Sequence, residues 1–226
     1  MTADLQAILR EELRGLDGDL YLCHLFAPAD KRPALLALYH AHADIARIPY
    51  EVSDAMLAAI RLQWWRDMFD MTARGETHDA PIGQALQAAQ LTIEHLHALV
   101  DARETFIEEG GDKMDGAARA GRALMMLALE IFGLDDTPLI ELAVQGGEGF
   151  ERLRSVPDDI SIEPCRDLLN AACIGFNRLP AKQRKAALPV FLLIGMARRQ
   201  ARAWPQRKSL LSYQMHLLKM ALIGRL

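Results

Sequence analysis

The chain has 226 residues, and 51% of them are hydrophobic, which is enough to build one sizeable core. Its three cysteines are scattered and odd in number, which argues against a disulfide framework or a zinc site and for a reducing compartment. The N-terminal residues lack a secretory pattern, and no stretch reaches the roughly 18 apolar residues of a membrane span. We therefore expect a cytoplasmic location.

The net charge of −4 conceals an uneven distribution. Residues 1–167 carry all 30 acidic residues and 15 basic ones, whereas residues 168–226 carry the other 11 basic residues and no acidic one. Such a basic tail favours either contact with an anionic surface or pairing with the acidic part of its own chain. We expect no nucleic-acid partner, because the whole chain is acidic and no binding motif appears.

Helical periodicity dominates the first half of the chain, and no strand signal appears. Helices are predicted over residues 4–14, 19–27 and 30–47, and from Ser53 to about Arg74. Pro49 is expected to end the third helix, and Ser53 to cap the fourth. Large apolar residues of the fourth helix recur three to four apart and are predicted to share one face. They are Met56, Leu57, Ile60, Trp64, Met68 and Met71, with Trp65 and Phe69 widening the face.

The second half predicts six more helices. They cover residues 81–109, 113–132, 138–154, 164–178, 181–203 and 206–224. Gly133 is expected to end the second of these, and Thr137 to cap the third, which Pro138 begins. A break before Pro189 stays open in the fifth. The short loops predict one all-α domain over residues 1–226, in which residues 168–226 form a basic, apolar helical tail.

The end of the tail combines positive charge with an apolar row. Its stripe consists of Leu210, Leu211, Met215, Leu218 and Leu222, with His216 and Lys219 beside it. This pattern is typical of an amphipathic helix at a membrane interface or against a partner protein, and it also fits a last core helix. The predicted partners are therefore an anionic membrane surface or a membrane-protein subunit.

Two other groups of residues predict no special chemistry. His40 and His42 stand two apart, so on a helix they point about 200° apart and cannot chelate one ion together. The run Gly146-Gly147-Glu148-Gly149 is rich in glycine, but no strand precedes it, so a phosphate-binding loop is not expected.

The stretch over residues 26–70 carries the strongest family signal. It has a lead-in from Pro28 to Arg32, a helix with Leu38 and Tyr39, and a tryptophan segment from Leu62 to Asp67. In these features the chain resembles the first part of the squalene and phytoene synthase family. The resemblance implies an all-α, single-domain helical bundle of the isoprenoid (trans-prenyl diphosphate) synthase type.

Enzymes of that family bind a diphosphate through magnesium, using two motifs with aspartates at the first and fifth positions. Carboxylates four apart lie on one face of a helix, and two facing pairs can clamp the metal. Here the first motif falls on residues 43–47, where Ala43 and Arg47 replace the two aspartates and only Asp44 remains. The second motif falls on residues 155–159, where Ser155 replaces the first aspartate.

The resemblance consequently implies no catalytic residue, no metal ligand set and no cofactor. Six positions are predicted as remnants of a substrate site or cavity: Tyr21, Tyr39, Asp44, Trp64, Asp158 and Asp159. Packing of Trp64 in the core is favoured over a role in the wall of a prenyl-chain cavity, because large aromatic residues dominate core burial. Arg66 is expected to pair with Asp67 or Asp70.

The departures from the catalytic pattern resemble one branch of the family, which includes a mitochondrial factor for the assembly of respiratory complex I and its bacterial relatives. The segments that carry this likeness are Ala43 to Arg47, Arg61 to Arg66, and residues 100–104. The branch implies a non-catalytic binding or assembly factor, peripheral at the inner membrane. Two alternatives stay open: an active prenyl transferase that needs magnesium and uses farnesyl or geranylgeranyl diphosphate, and a carrier of an isoprenoid or lipid ligand.

Overall fold

A computed structural model describes residues 2–76, 79–156, 161–204 and 210–226. Within these ranges the chain forms eleven α-helices and no strand, which confirms the predicted all-α class. The helices are α1 (Ala3–Leu16), α2 (Gly18–His24), α3 (Arg32–Glu51), α4 (Ala55–Ala73), α5 (Pro81–Ala89), α6 (Ile93–Glu104), α7 (Lys113–Phe132), α8 (Thr137–Ser155), α9 (Glu163–Arg178), α10 (Ala181–Ala203) and α11 (Leu210–Ile223). None of the helices in the described ranges is both long and apolar enough to cross a membrane.

Aspartate side chains begin several of these helices. Asp17, Asp54 and Asp112 each accept hydrogen bonds from two backbone N–H groups in the first turns of α2, α4 and α7. Asp136 does the same for one N–H group of α8. The predicted caps at Ser53 and Thr137 are therefore wrong by one residue, because in each case the neighbouring carboxylate, a stronger acceptor, takes the position.

Two prolines lie inside helices. The expected end of α3 at Pro49 is wrong, since the helix continues to Glu51, and α10 runs unbroken through Pro189. A proline removes one backbone hydrogen bond and crowds the preceding turn. Buried neighbours on the same helices, such as Ile48 and Val190, hold these turns against the core.

The predicted long helix over residues 81–109 is in fact two helices. The break falls at Gln90, whose φ of 51° is left-handed and ends α5. Glycine and asparagine adopt this conformation far more readily than glutamine does, so the sequence offered no warning of the turn. By contrast, the predicted end of α7 at Gly133 is confirmed, with a φ of 63°.

Only part of the predicted apolar face of α4 is buried. Trp65 is 2% exposed and packs in the core, whereas Trp64 is 42% exposed, so the predicted core role of Trp64 is wrong. The other buried residues of α4 are Ala58, Leu62, Met68 and Phe69. Apolar residues occur around most of this helix, so their spacing could not select the face that meets the core.

The centre of the fold depends on a close crossing of α7 and α8. A Cβ atom added to Gly121 would lie 2.1 Å from the carbonyl oxygen of Gly147, and one added to Gly147 would lie 2.4 Å from the carbonyl oxygen of Gly121. Only two glycines allow helix backbones to approach so closely. The glycine-rich run of α8 therefore serves helix packing.

Candidate functional site

A buried ionic network links the two helices on which the metal motifs are expected. His42 of α3 lies two residues before Asp44, and its Nε2 atom is 2.9 Å from Oε1 of Glu151 on α8. Arg103 of α6 donates a hydrogen bond to Oε2 of the same carboxylate. All three side chains are at most 3% exposed. Three helices are thus joined through one carboxylate.

The protonation state of Glu151 follows from its neighbours. Burial alone would raise the pKa of Glu151, but the adjacent Arg103 guanidinium and His42 lower it well below its usual value. Glu151 is therefore ionised, and its charge is balanced inside the protein. Removing one member of such a buried pair typically costs about 3–5 kcal/mol, because an unpaired charge is left behind.

Asp44, the remnant of the first motif, is held by residues of α4. The indole Nε1 of Trp65 donates to its Oδ2 atom at 3.1 Å, and Nη2 of Arg61 lies 3.8 Å from its Oδ1 atom. Arg47, at the fifth position of the motif, pairs with Glu51. Both oxygens of Asp44 therefore face groups of this chain.

Only the first two positions of the second motif lie among the described residues. Ser155 ends α8, one turn beyond Glu151, while Asp158 and Asp159 lie outside the described residues. Among the residues that the structure describes, no group of three or more His, Cys, Asp or Glu side chains could hold a metal ion.

Asp44 and Trp64 share one cleft, as sequence reasoning grouped them, but the two tyrosines do not line it. The cleft has a volume of about 610 Å³. Its lining includes Glu11, Glu12, His40, Asp44, Arg47, Trp64 and Trp65. Nε2 of His40 is 2.8 Å from Oε2 of Glu12, which ties α3 to α1 along one wall. A cleft of this size suits a small ligand or a protruding side chain.

The tyrosines lie in and beside the core. Tyr39 is fully buried, and its hydroxyl has no hydrogen-bond partner among the described residues. Burial, with Cys23 and Asp17 nearby, raises its pKa. Tyr21 is partly buried, and its ring centroid is 5.3 Å from that of His24. Of the four predicted site residues that the structure describes, it therefore brings only Asp44 and Trp64 together in one cleft.

The outer face of α4 forms an exposed apolar surface, called here the α4 surface. It consists of Met56, Leu57, Ile60 and Trp64. At roughly 100–150 Å² per side chain, these residues together expose on the order of 500 Å², within the range of the largest patch of an ordinary monomer. Such a patch indicates a binding surface.

The rim of the α4 surface is acidic. Four carboxylates border it, those of Asp44, Glu51, Asp54 and Asp67, against the guanidinium groups of Arg47 and Arg61. Both arginines already pair with these acids, since Arg61 lies 3.6 Å from Glu51 and Arg47 bonds to it. The surface as a whole therefore carries excess negative charge.

The ion pair predicted for Arg66 is also corrected. It bonds to Asp101 and lies 2.8 Å from Glu104 on α6, instead of pairing with Asp67 or Asp70. Sequence reasoning gave no role to His42, Arg103 or Glu151. One signal was available. Glu151 lies on the same face of α8 as the glycines that pack against other helices, and a charged residue on a packed face needs a buried partner of opposite charge.

Comparison with known proteins gives two findings. A model of the squalene/phytoene synthase family matches residues 13–165, a span that includes the stretch over residues 26–70. The curated relatives include "NADH dehydrogenase (ubiquinone) complex I, assembly factor 6" from Bos taurus and from Homo sapiens, each 27% identical over 135 residues. The same protein from Rattus norvegicus is also 27% identical over 135 residues. Each match covers 56% of this chain and 40% of the relative, so the chain matches less than half the length of these relatives.

Proposed function

The chain belongs to the squalene/phytoene synthase family, and from that premise we propose that it is a non-catalytic factor that binds a protein during assembly of respiratory complex I. The relatives bear the name of an assembly factor for that complex. Because the match covers 40% of their length, their role comes to this chain as part of the proposal.

The buried network of His42, Arg103 and Glu151 is the observation that carries the proposal. It places a balanced ionic cluster between α3 and α8, the helices on which the family pattern would put a magnesium clamp. Magnesium requires several oxygen ligands held in near-octahedral geometry. A carboxylate already neutralised by a guanidinium and an imidazole is a poor ligand, so the network supports binding instead of diphosphate chemistry.

The neighbourhood of Asp44 supports the same conclusion. Its oxygens face Trp65 and Arg61, and Arg47 adds a positive charge at the position where a second ligand would stand. A cation bound at Asp44 would meet the guanidinium group of Arg61 beside it and that of Arg47 in the lining of the cleft. Electrostatic repulsion at these distances disfavours a metal ion.

We propose the α4 surface as the docking site for a protein partner, specifically a basic, amphipathic helix of a complex I subunit. Its exposed area is more than half of the roughly 800 Å² that one partner contributes to a standard interface. The acidic rim favours a basic partner and disfavours an anionic lipid surface. The cleft beside Trp64 would accept a side chain at one end of the helix.

Two matched substitutions test the docking site. Ile60 and Ile174 are both exposed isoleucines on helices, but Ile174 lies on α9, away from the α4 surface. In a deletion strain, we expect Ile174→Glu to restore complex I activity and subunit content as the natural chain does, and Ile60→Glu to fail. Normal complex I in the deletion strain itself would count against the assembly role.

The alternative as a prenyl transferase has its own test. Incubation with farnesyl and geranylgeranyl diphosphate plus magnesium is expected to give no condensed product. Turnover that Asp44→Ala abolishes would overturn the non-catalytic proposal.

The cleft of about 610 Å³ favours one second candidate, a carrier of an isoprenoid or lipid. Mass spectrometry of the purified protein tests it, because a carrier should retain a stoichiometric lipid. Ile82 lines the cleft and Ile174 does not, so Ile82→Trp should displace such a lipid and Ile174→Trp should leave it bound.

We further propose that the protein binds peripherally to the inner face of the membrane through its basic tail. The outer face of α11 supports this part of the proposal, because Met215, Leu218, Leu222 and Ile223 are exposed there. An amphipathic helix of this kind lies in the membrane interface with its apolar residues among the lipids.

A further inference from the structure

Helix α11 presents two different faces. Its inner residues Tyr213, Leu217 and Met220 are buried, and Met220 packs at Gly195 of α10, where an added Cβ would lie 2.6 Å from its sulfur atom. Its outer face exposes a row of apolar side chains, of which Leu222 is 77% exposed. Helix α11 thus both completes the core and leaves an apolar row uncovered.

A small pocket lies between α10 and α11, with a volume of about 380 Å³. Its polar lining consists of cationic and imidazole side chains, namely Arg198, Arg199, Arg202, His216, Lys219 and Arg225. No aspartate or glutamate lines it. We call this the basic pocket.

The cations of the basic pocket have no acidic partner among the described residues. In the part of the chain that the structure describes, no ion pair joins any of its arginines or its lysine to a carboxylate side chain. Arg198 Nε donates to Asn170 Oδ1 at 2.8 Å, and Arg199 Nη2 donates to Ser212 Oγ at 2.6 Å. These neutral partners orient the two guanidinium groups without cancelling their charge.

The positive charges converge on one point. Burial lowers the pKa of His216, and the nearby charges of Arg199, Lys219, Arg202 and Arg198 lower it further. Like charges held together in a partly enclosed space repel one another. An anion with several acceptor oxygens would relieve this repulsion, and arginine side chains bind phosphate with paired N–H donors.

We propose that the basic pocket binds the phosphate group of an anionic lipid headgroup. The position of the apolar row favours a lipid over a free phosphate compound, because Leu222 and Ile223 of the same helix would enter the acyl region beside the bound headgroup. The inference rests on the proposed membrane contact and adds a defined binding site to it. Without such a site, the positive charge of the tail would bind any anionic surface.

Vesicle sedimentation tests the site with two double variants, each of which removes two positive charges. Arg202 and Lys219 line the pocket and are both exposed, so Arg202→Gln with Lys219→Gln should leave the fold intact. Lys182→Gln with Lys185→Gln is the control, since both lysines are exposed on α10 outside the pocket. Vesicles of phosphatidylcholine with phosphatidylglycerol serve as the probe, and phosphatidylcholine alone as the reference.

We expect the pocket variant to bind these vesicles at least about ten-fold more weakly and the control to change less than about two-fold. Binding of the natural chain should fall as salt is added. An equal loss in both variants would show that charge acts diffusely and would overturn the pocket, while the membrane contact itself would stand.

Soluble glycerol phosphate separates the two sources of phosphate. We expect it to raise the melting temperature of the natural chain and not that of the pocket variant. Leu222→Ser should weaken vesicle binding but should still show the rise in melting temperature with glycerol phosphate. A response to glycerol phosphate without any vesicle binding would overturn the lipid assignment. If glycerol phosphate left the melting temperature unchanged and the natural chain bound no vesicles, both the pocket and the membrane contact would be overturned. The docking of a protein on the α4 surface is tested separately by Ile60→Glu.

Discussion

The α4 surface and the outer face of α11 are alike in shape and opposite in charge. Each is a row of large apolar side chains on the outside of a helix whose inner face packs in the core. Carboxylates border the first, whereas arginines and Lys219 lie behind the second. A large exposed apolar area indicates a binding surface. The charge beside it selects between a basic protein segment and an anionic membrane.

The largest expected effect is a loss of stability of the whole fold, which would remove both surfaces together. Glu151→Gln keeps the size of the side chain but leaves Arg103 buried without its counter-charge. We expect a loss of about 3–5 kcal/mol in the free energy of unfolding. Glu141→Gln, at an exposed position of the same helix, should change it by less than about 0.5 kcal/mol. Urea unfolding of the two variants measures the difference, and equal stability would contradict the structural role of the network.

Acid should also weaken both surfaces together, through His24. Burial lowers the pKa of His24 from 6.5 to about 4, so the folded protein holds it neutral while the unfolded chain takes up a proton. Stability from this group is complete above pH 6.5 and is lost as the pH falls from 6.5 towards 4, by at most about 3 kcal/mol.

His24→Asn isolates this contribution. Its side-chain amide can replace the hydrogen bond that the imidazole Nδ1 donates to the Tyr21 carbonyl, and it does not titrate. We expect the urea midpoint of the variant to change less than that of the natural chain between pH 6.5 and 4.5. The lowered pKa of Glu151 adds a loss only below its ordinary value near 4.5, where protonation removes its charge. If the urea midpoint fell with pH as steeply in the variant as in the natural chain, the acid sensitivity would come from groups other than His24.

The crossing of α7 and α8 should tolerate no added methyl group. Gly147→Ala would force apart two helix backbones, because its Cβ would lie 2.4 Å from the carbonyl oxygen of Gly121. We expect a loss of about 2 kcal/mol or more. Gly15→Ala is the control, since nothing lies within 4 Å of its added Cβ and alanine favours helix by about 1 kcal/mol. Thermal unfolding should therefore move in opposite directions in the two variants.

These features show where sequence reasoning succeeds. Local signals predicted the all-α fold, and the positive φ at Gly133 ended α7 as expected. A cap needs only a side chain and the next turn, so the errors at Ser53 and Thr137 are one residue each. The family signal over residues 26–70 also depends on neighbouring positions and is confirmed by the family match.

Features that join distant parts of the chain were not predictable in this way. His42 and Glu151 are 109 residues apart, and only the tertiary fold brings their side chains together. The indole that holds Asp44 comes from Trp65, because the core selected that face of α4 and exposed Trp64. A periodic pattern can identify an amphipathic helix, but the tertiary fold decides which apolar face remains outside.

The smallest expected free-energy changes would separate the two surfaces. Ile60→Glu should prevent docking of the protein partner and leave vesicle binding within about two-fold of the natural chain, because the α4 surface is acidic at its rim. Arg202→Gln with Lys219→Gln should do the reverse, with a ten-fold loss of vesicle binding that corresponds to about 1.4 kcal/mol. Complex I content and vesicle sedimentation are both measured for each of the two variants. If Ile60→Glu weakened vesicle binding as much as the pocket variant does, the α4 surface would face the membrane despite its carboxylates, and charge would not select between the two partners.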